Sequence, residues 1–282
     1  MSTILITGAS GFIGSALSAA LGADHEVVGM SRNTVDIPGV TYVKGEFGAF
    51  EDLRQLDRWD FDAAVHLGAE LRGPERDFVT VNGEGSRCLM RYLVDRGCRK
   101  FVMASSIAAV GCQSVHFRPD VLPIPDEHPC YDVDGYGFSK FIMEEIAKYH
   151  WRQHRDIDVI NFRLCSVIGD DGPRPKPEGL RPILEWTLGH ITWMFLSDVI
   201  RAFCLAVLGP TQPGVRTLNV AAERICATVP TAEFLGNWWG NDVDLSYYRR
   251  PGNEFRGVYR VDRLAEELDF TAVDTLNYLQ NM

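Results

Sequence analysis

Short apolar runs alternate with longer amphipathic stretches from the start of the chain. Ile4, Leu5 and Ile6 form an unbroken apolar run, the pattern of a strand buried on both faces. Similar runs at residues 26–30, 40–44, 63–67, 100–104 and 158–164 predict five further strands. Between them, residues 51–56, 78–96 and 135–154 carry helical patterns. Strands alternating with helices predict an α/β fold, a doubly wound parallel sheet with helices on both faces. Ligands of such sheets sit beyond the carboxyl ends of the strands, where the strand order reverses. After Gly169 the alternation stops. Residues 170–177 are proline-rich and extended, and later pieces are short: a helix at 199–208, a strand at 217–220 and a helix at 261–268. This half reads as a small C-terminal annex over the sheet edge.

The turn after the first strand carries the first chemical signal. Gly8, Gly11 and Gly14 stand between that strand and a helix starting near Ser15. A strand that turns through glycines into a helix presents free backbone N–H groups and a positive dipole end at one point, which suits a pyrophosphate. The glycines allow the tight turn, the close approach of backbone to phosphate and close helix–strand packing. Residues 1–165 are therefore read as an NAD(P)-binding domain of Rossmann type. Residues 166–282 are read as a mainly substrate-binding region, interleaved with sheet elements near 190–222. The second strand ends at Ser31 and Arg32, where an acidic residue would hold the ribose hydroxyls of NAD. Arg32 suits a 2′-phosphate, which favours NADP over NAD, or it stacks on adenine with either cofactor.

Of nine tyrosines, Tyr136 is the one followed four residues later by a lysine, Lys140. On a helix the two share a face. A phenol is a poor base at neutral pH, and a neighbouring ammonium favours its ionised form, so Tyr136 is a candidate proton shuttle or a plain surface pair. Ser105 and Ser106 follow the fifth strand at the carboxyl edge of the sheet. A hydroxyl there serves a reacting oxygen or simply caps a turn.

Composition narrows the setting. The formal charge of −10 argues against a general nucleic-acid or anionic-membrane surface. Seven cysteines without metal-like spacing predict free thiols in a reducing cytoplasm, and no metal site is expected. The apolar stretch at 193–208 contains Ser197, Asp198 and Arg201, so a bilayer span is not expected. No signal peptide is read before the first strand.

Together, Thr7-Gly8-x-x-Gly11-x-x-Gly14, His66-Leu67-Gly68-Ala69, Asn82, Ser105-Ser106 and Tyr136-x-x-x-Lys140 occur in this order, followed by Arg163 and Ser197-Asp198-Val199. The combination resembles the extended branch of the short-chain dehydrogenase/reductase superfamily, the NAD-dependent epimerase/dehydratase group. The resemblance implies Tyr136 as general acid/base, Lys140 at the nicotinamide ribose lowering the phenol's pKa, and Ser106 polarising the reacting oxygen. It places Gly8, Gly11, Phe12, Ile13, Gly14, Ser31 and Arg32 along the phosphates and ribose, and Glu46 and Phe47 at the adenine. Leu67, Gly68, Ala69, Asn82 and Ser105 would lie along the cofactor, and Ser166 near the substrate. It also implies a homodimer built on the helices at 78–96 and 135–154.

Departures from the family narrow the reaction. Ile107 and Ala108 stand where members that dehydrate nucleotide sugars carry an acid pair, so elimination is not expected. The stretch from Gly169 to Asp198 is short for gripping a UDP-sugar, and the chain looks closer to uronate dehydrogenases, which oxidise a free sugar acid. Those enzymes carry Asn-His where Ile107-Ala108 stand here. Arg174 and Arg181 are candidates for a substrate carboxylate or phosphate, or solvate a loop. The expected activity is an NAD(P)-dependent oxidoreductase moving hydride between nicotinamide and a small sugar-like or carbonyl substrate. An NAD-retaining sugar epimerase and a non-catalytic NAD(P)-sensing protein are the rivals.

Overall fold

The structure is a computed structural model that describes residues 1–180, 188–240 and 242–281. Its strands are β1 (Thr3–Thr7), β2 (Glu26–Ser31), β3 (Val40–Lys44), β4 (Ala63–His66), β5 (Lys100–Ser106), β6 (Asp158–Leu164), β7 (Ser166–Ile168), β8 (Trp193–Phe195) and β9 (Gly214–Val220). Seven of them form one sheet in the order β3-β2-β1-β4-β5-β6-β9. The pairs β1–β2, β1–β4, β2–β3 and β4–β5 are parallel. The order reverses between β1 and β4, the switch point at which such sheets bind ligands. β7 and β8 form a separate parallel pair, with Ser166 opposite Trp193.

The first helices are α1 (Phe12–Gly22), α2 (Phe50–Leu53), α3 (Glu75–Asp77), α4 (Ser86–Asp95) and α5 (Gly135–Gln153). Those that follow are α6 (Leu188–Ile191), α7 (Leu196–Leu208), α8 (Thr231–Trp239), α9 (Asp262–Leu268) and α10 (Val273–Gln280). The helical pattern at 78–96 is realised in two forms. Phe78–Gly85 is π-helical and α4 follows it. A π turn inserts a residue into the helical period and often marks a functional site; here it carries Asn82, whose amide is engaged as described below.

Two compact units divide the chain. The first comprises Met1–Ser105, Phe138–Phe162 and Ile200–Thr217, and the second Ser106–Gly137, Arg163–Val199 and Leu218–Met282. The backbone therefore passes between units five times, a finer interleaving than a division near residue 165. In the first unit Ile4, Leu5 and Ile6 are fully buried, and each contributes roughly 1.5–3 kcal/mol of burial. Of the three, Leu5 shares one core cluster with Val28, Leu89, Phe101 and Met143. In the second unit the core is aromatic around α8, where Phe117 packs edge-on against Trp239 and His128.

Candidate active site

In the first unit the turn after β1 is built for close approach. Gly8 has φ +70°, and a Cβ there would lie 2.7 Å from the Gly68 nitrogen. At Gly14 a Cβ would lie 2.1 Å from the Gly8 oxygen. The Gly8 amide donates to Met30 O at 2.8 Å and Gly11 donates back to Gly8 O at 2.9 Å, which closes the turn. Gly11 is the N-cap of α1; no side chain caps that helix and no acidic residue stands in its first turn. The amides at its start, beside half-exposed Phe12 and Ile13, are arranged for an anion. A dinucleotide's pyrophosphate fits this cradle.

At the end of β2 the Ser31 hydroxyl donates to Asn33 O at 2.6 Å. The Arg32 side chain is 64% exposed, and its guanidinium lies 3.8 Å from the Glu70 carboxylate. An exposed pair of this kind contributes little stability, so Arg32 is available to a ligand. Glu70 has no counterpart in the sequence reading; it lies 38 positions along the chain from Arg32, beyond the reach of any local spacing rule. Phe47 is half-buried, edge-on to His66 with ring centroids 4.7 Å apart, while Glu46 is exposed. Leu67 and Ala69 are half-buried and flank buried Gly68.

Behind the cradle runs a closed polar chain with one consistent direction. Gly68 N donates to Thr7 Oγ1 at 3.3 Å, and Thr7 Oγ1 lies 2.6 Å from His66 Nδ1. His66 Nε2 lies 2.9 Å from Ser86 Oγ, which donates to Asn82 O at 2.5 Å. Because the Ser86 hydrogen is spent on Asn82 O, His66 carries its proton on Nε2 and accepts from Thr7 on Nδ1. Burial, reinforced by the charge of Lys140, holds the imidazole pKa down at about 3, so His66 is neutral. Asn82 donates from Nδ2 to Glu70 O at 3.0 Å and to Ser139 Oγ at 2.9 Å, and its Oδ1 accepts from Glu70 N at 2.6 Å. Both amide donors are committed within the protein, so Asn82 acts by holding the Glu70 loop and α5.

Lys140, on α5, is 3% exposed and donates from Nζ to Ala104 O at 2.7 Å. Burial pulls its pKa down to about 8, against the opposing charge of Glu144. The Ser105 hydroxyl, on β5, donates to Glu144 Oε1 at 2.6 Å.

In the second unit Ser106 ends β5 and N-caps the short turn Ile107–Val110. Its Oγ accepts from Ala108 N at 3.1 Å, and its hydroxyl is hydrogen-bonded to the Tyr136 phenol. Of the two expected roles of a serine at this place, the cap is present, and the same side chain meets the Tyr136 phenol. Asp134 Oδ1 accepts from Gly137 N at 2.8 Å and anchors the start of α5. A Cβ at Gly137 would lie 2.6 Å from Ala108 O, so this backbone fits closely against the serine turn. Burial holds the Tyr136 phenol above its ordinary pKa, with the Ser106 hydrogen bond opposing and Asp134 adding to the rise. The expectation of a lowered phenol pKa is thus corrected for the protein by itself: desolvation of the phenolate outweighs the groups that favour it.

The remaining candidates are placed differently. Ser166 is half-buried in β7. Arg174 donates to Gly169 O at 3.1 Å, and its guanidinium lies 4.3 Å from the Phe195 ring centroid and 5.7 Å from that of Tyr278. That stacking gives Arg174 a packing role in its own unit. Arg181 lies outside the described residues. Among the described residues no group of three or more His, Cys, Asp or Glu side chains is disposed to hold a metal ion, and no helix is long and apolar enough to cross a membrane.

Comparison with known proteins identifies the family. The model of the NAD dependent epimerase/dehydratase family matches residues 4–221. UDP-glucose 4-epimerase GEPI48 of Cyamopsis tetragonoloba is 26% identical over 213 residues, covering 65% of this chain and 59% of that protein. UDP-glucose 4-epimerase of Azospirillum brasilense is 26% identical over 226 residues, covering 74% and 58% respectively. The matched stretch thus spans less than two thirds of the length of these relatives. Among solved structures, a short-chain dehydrogenase/reductase superfamily protein from Agrobacterium tumefaciens with bound NAD superposes with a TM-score of 0.73 at 21% identity, covering 98% of this chain and 94% of that one. A mutated uronate dehydrogenase superposes with a TM-score of 0.65 at 23% identity, covering 95% and 86%. At such identities the likeness is one of fold.

Proposed function

Because the chain belongs to the NAD-dependent epimerase/dehydratase family, we propose that it is an NAD(P)-dependent oxidoreductase acting on a hydroxyl-bearing carbon of a small sugar-like or carbonyl substrate. The observation that carries this reading is the Ser106–Tyr136 hydrogen bond, with Lys140 one turn further along the same helix. A nicotinamide nucleotide, when bound, would supply the hydride chemistry. Tyr136 takes the proton from, or gives it to, the substrate oxygen, and Ser106, already fixed by Ala108 N, donates to that oxygen. Lys140 would hold the ribose of that nucleotide and supply the positive charge that offsets the developing phenolate. Tyr136→Phe therefore abolishes nearly all turnover on a panel of sugar acids and small carbonyls while NADPH binding persists; unchanged turnover removes the reading.

Cofactor choice falls to Arg32. Its exposure and its loose pairing with Glu70 support a charge-assisted grip on a 2′-phosphate, hence NADP; the solved relatives with NAD support the other choice. Fluorescence titration with NADPH and NADH decides between them. A sugar epimerase is the second reading, supported by the names of the curated relatives. It requires cofactor that co-purifies and does not exchange. A homodimer built on α4 and α5 is supported by the exposed Phe138 and Tyr149 of α5, and sedimentation equilibrium tests it.

A further inference from the structure

Helix α5 repeats a polar residue at every fourth position: Tyr136, Lys140 and Glu144. Residues so spaced share one helical face. The first two have roles in the reading above, and Glu144 has none. Yet Glu144 is 2% exposed, as deeply buried as Lys140. A carboxylate so placed requires compensation, because burial without partners strongly disfavours its charge. Ser105 supplies part of it by donating to Oε1 at 2.6 Å. Lys140 donates to Ala104 O at 2.7 Å, on the residue immediately before Ser105. The ammonium and the carboxylate therefore grip adjacent residues at the end of β5.

We propose that Glu144 is a positioning residue, the buried counter-ion that keeps Lys140 protonated and pinned to the end of β5, ready for a bound nicotinamide nucleotide. The proposal rests on the role given to Lys140 under the proposed function. Burial has already brought Lys140 to about 8, and Glu144 is what opposes it. The other titratable groups near Lys140 do not replace that charge: His66 on β4 is neutral and Tyr136 on α5 keeps its proton. Without the carboxylate, the ammonium would lose its proton close to neutral pH.

The test uses the whole protein labelled with ¹³C at lysine Cε and titrated by NMR from about pH 6 to 11. The chain has five lysines, Lys44, Lys100, Lys140, Lys148 and Lys176, so the spectrum is simple, and the Lys140 signal is identified by its loss in Lys140→Arg. Wild type is expected to titrate at about 8. Glu144→Gln keeps an acceptor for Ser105 and is expected to lower the midpoint by about one pH unit. Glu144→Asp, which withdraws the charge by one methylene, lowers it by a smaller step. An unmoved Lys140 midpoint in Glu144→Gln overturns the proposal. Should that variant fail to fold, as judged by the other four signals, an unmoved midpoint in Glu144→Asp overturns it equally. As a second readout, NADPH fluorescence titration of Glu144→Gln is expected to show weaker binding at pH 8.5 than at 6.5, by about tenfold beyond any wild-type change. Full turnover in Tyr136→Phe would remove the functional reading and leave the Lys140 titration as it is. An unmoved midpoint would remove the role of Glu144 and leave the functional reading in place.

Discussion

The polar groups behind the glycine turn and those around Tyr136 are held in opposite ways. In the first unit Thr7, His66, Ser86 and Asn82 form a closed chain in which each donor has an acceptor and the imidazole is locked in one tautomer. In the second unit Ser106 is fixed from one side by Ala108 N, and its hydroxyl meets a phenol that is half-buried. Closure of the first network gives rigidity, since a buried polar chain that is fully satisfied has one arrangement. The second is the pair that the proposed function puts against a substrate oxygen. Damage to the first should appear as lost stability, and damage to the second as lost turnover.

The largest effect expected is that of Tyr136→Phe, which removes the proton donor and keeps the ring. Turnover should fall by about 10³-fold, with the denaturant midpoint and NADPH affinity nearly unchanged. A variant that loses stability instead would erase the contrast between the two regions.

The next tests the closed network through pH. The His66 pKa is lowered on folding to about 3 from its ordinary 6.5. Between those values the unfolded chain binds more protons than the folded one, so stability rises with pH from about 3 to 6.5. This one group contributes on the order of 5 kcal/mol to that rise. His66→Asn should be less stable at pH 7, because the chain from Thr7 to Ser86 is broken, and its acid-side slope should be flatter. Urea unfolding at several pH values measures both, and an unaltered slope would show that another group carries the acid dependence.

Gly137→Ala sharpens the comparison from the other side. The added methyl meets Ala108 O at 2.6 Å and must push the Ser106 turn away from the phenol. Turnover should drop by roughly thirtyfold, since small misplacements of reacting groups are costly, while cofactor binding changes little. Steady-state kinetics beside a cofactor titration separate the two. The smallest effect belongs to Arg32→Ala, expected to weaken NADPH binding by about tenfold and leave NADH binding as it was. Equal loss with both cofactors would mean that Arg32 stacks on adenine.

Much of the first unit was legible from pattern. β3 and β6 coincide with their apolar runs, and the glycine turn stands where the spacing of Gly8, Gly11 and Gly14 put it. β7, β8, α8 and α10 were missed, because their short runs carry little periodicity and are held by contacts with distant residues: β8 stacks Trp193 and Phe195 on Tyr278 of α10. Ser106 and Tyr136 could be singled out by spacing, but Glu144 could have been found only by extending the four-residue stripe one turn past Lys140. Arg174 shows what the sequence could not place. A lone arginine in a proline-rich stretch reads as an anion site or a solvated loop, and its contact with the rings of Phe195 and Tyr278 comes from residues distant in the chain.

What the sequence determined by itself are features set within a few residues: apolar runs that must be buried, glycines that permit a turn no other residue could make, and a tyrosine and lysine one helical turn apart. These follow from backbone sterics and local period, which need no knowledge of the rest of the chain. Tertiary structure alone decided how those groups are charged and held. The phenol stands above its ordinary pKa, the lysine below it and the histidine neutral because folding buries all three, with Asp134 adding to the rise at the phenol, Lys140 adding to the fall at the imidazole and Glu144 opposing the fall at the lysine. Desolvation and charge act through space, and folding is what brings distant residues within their range.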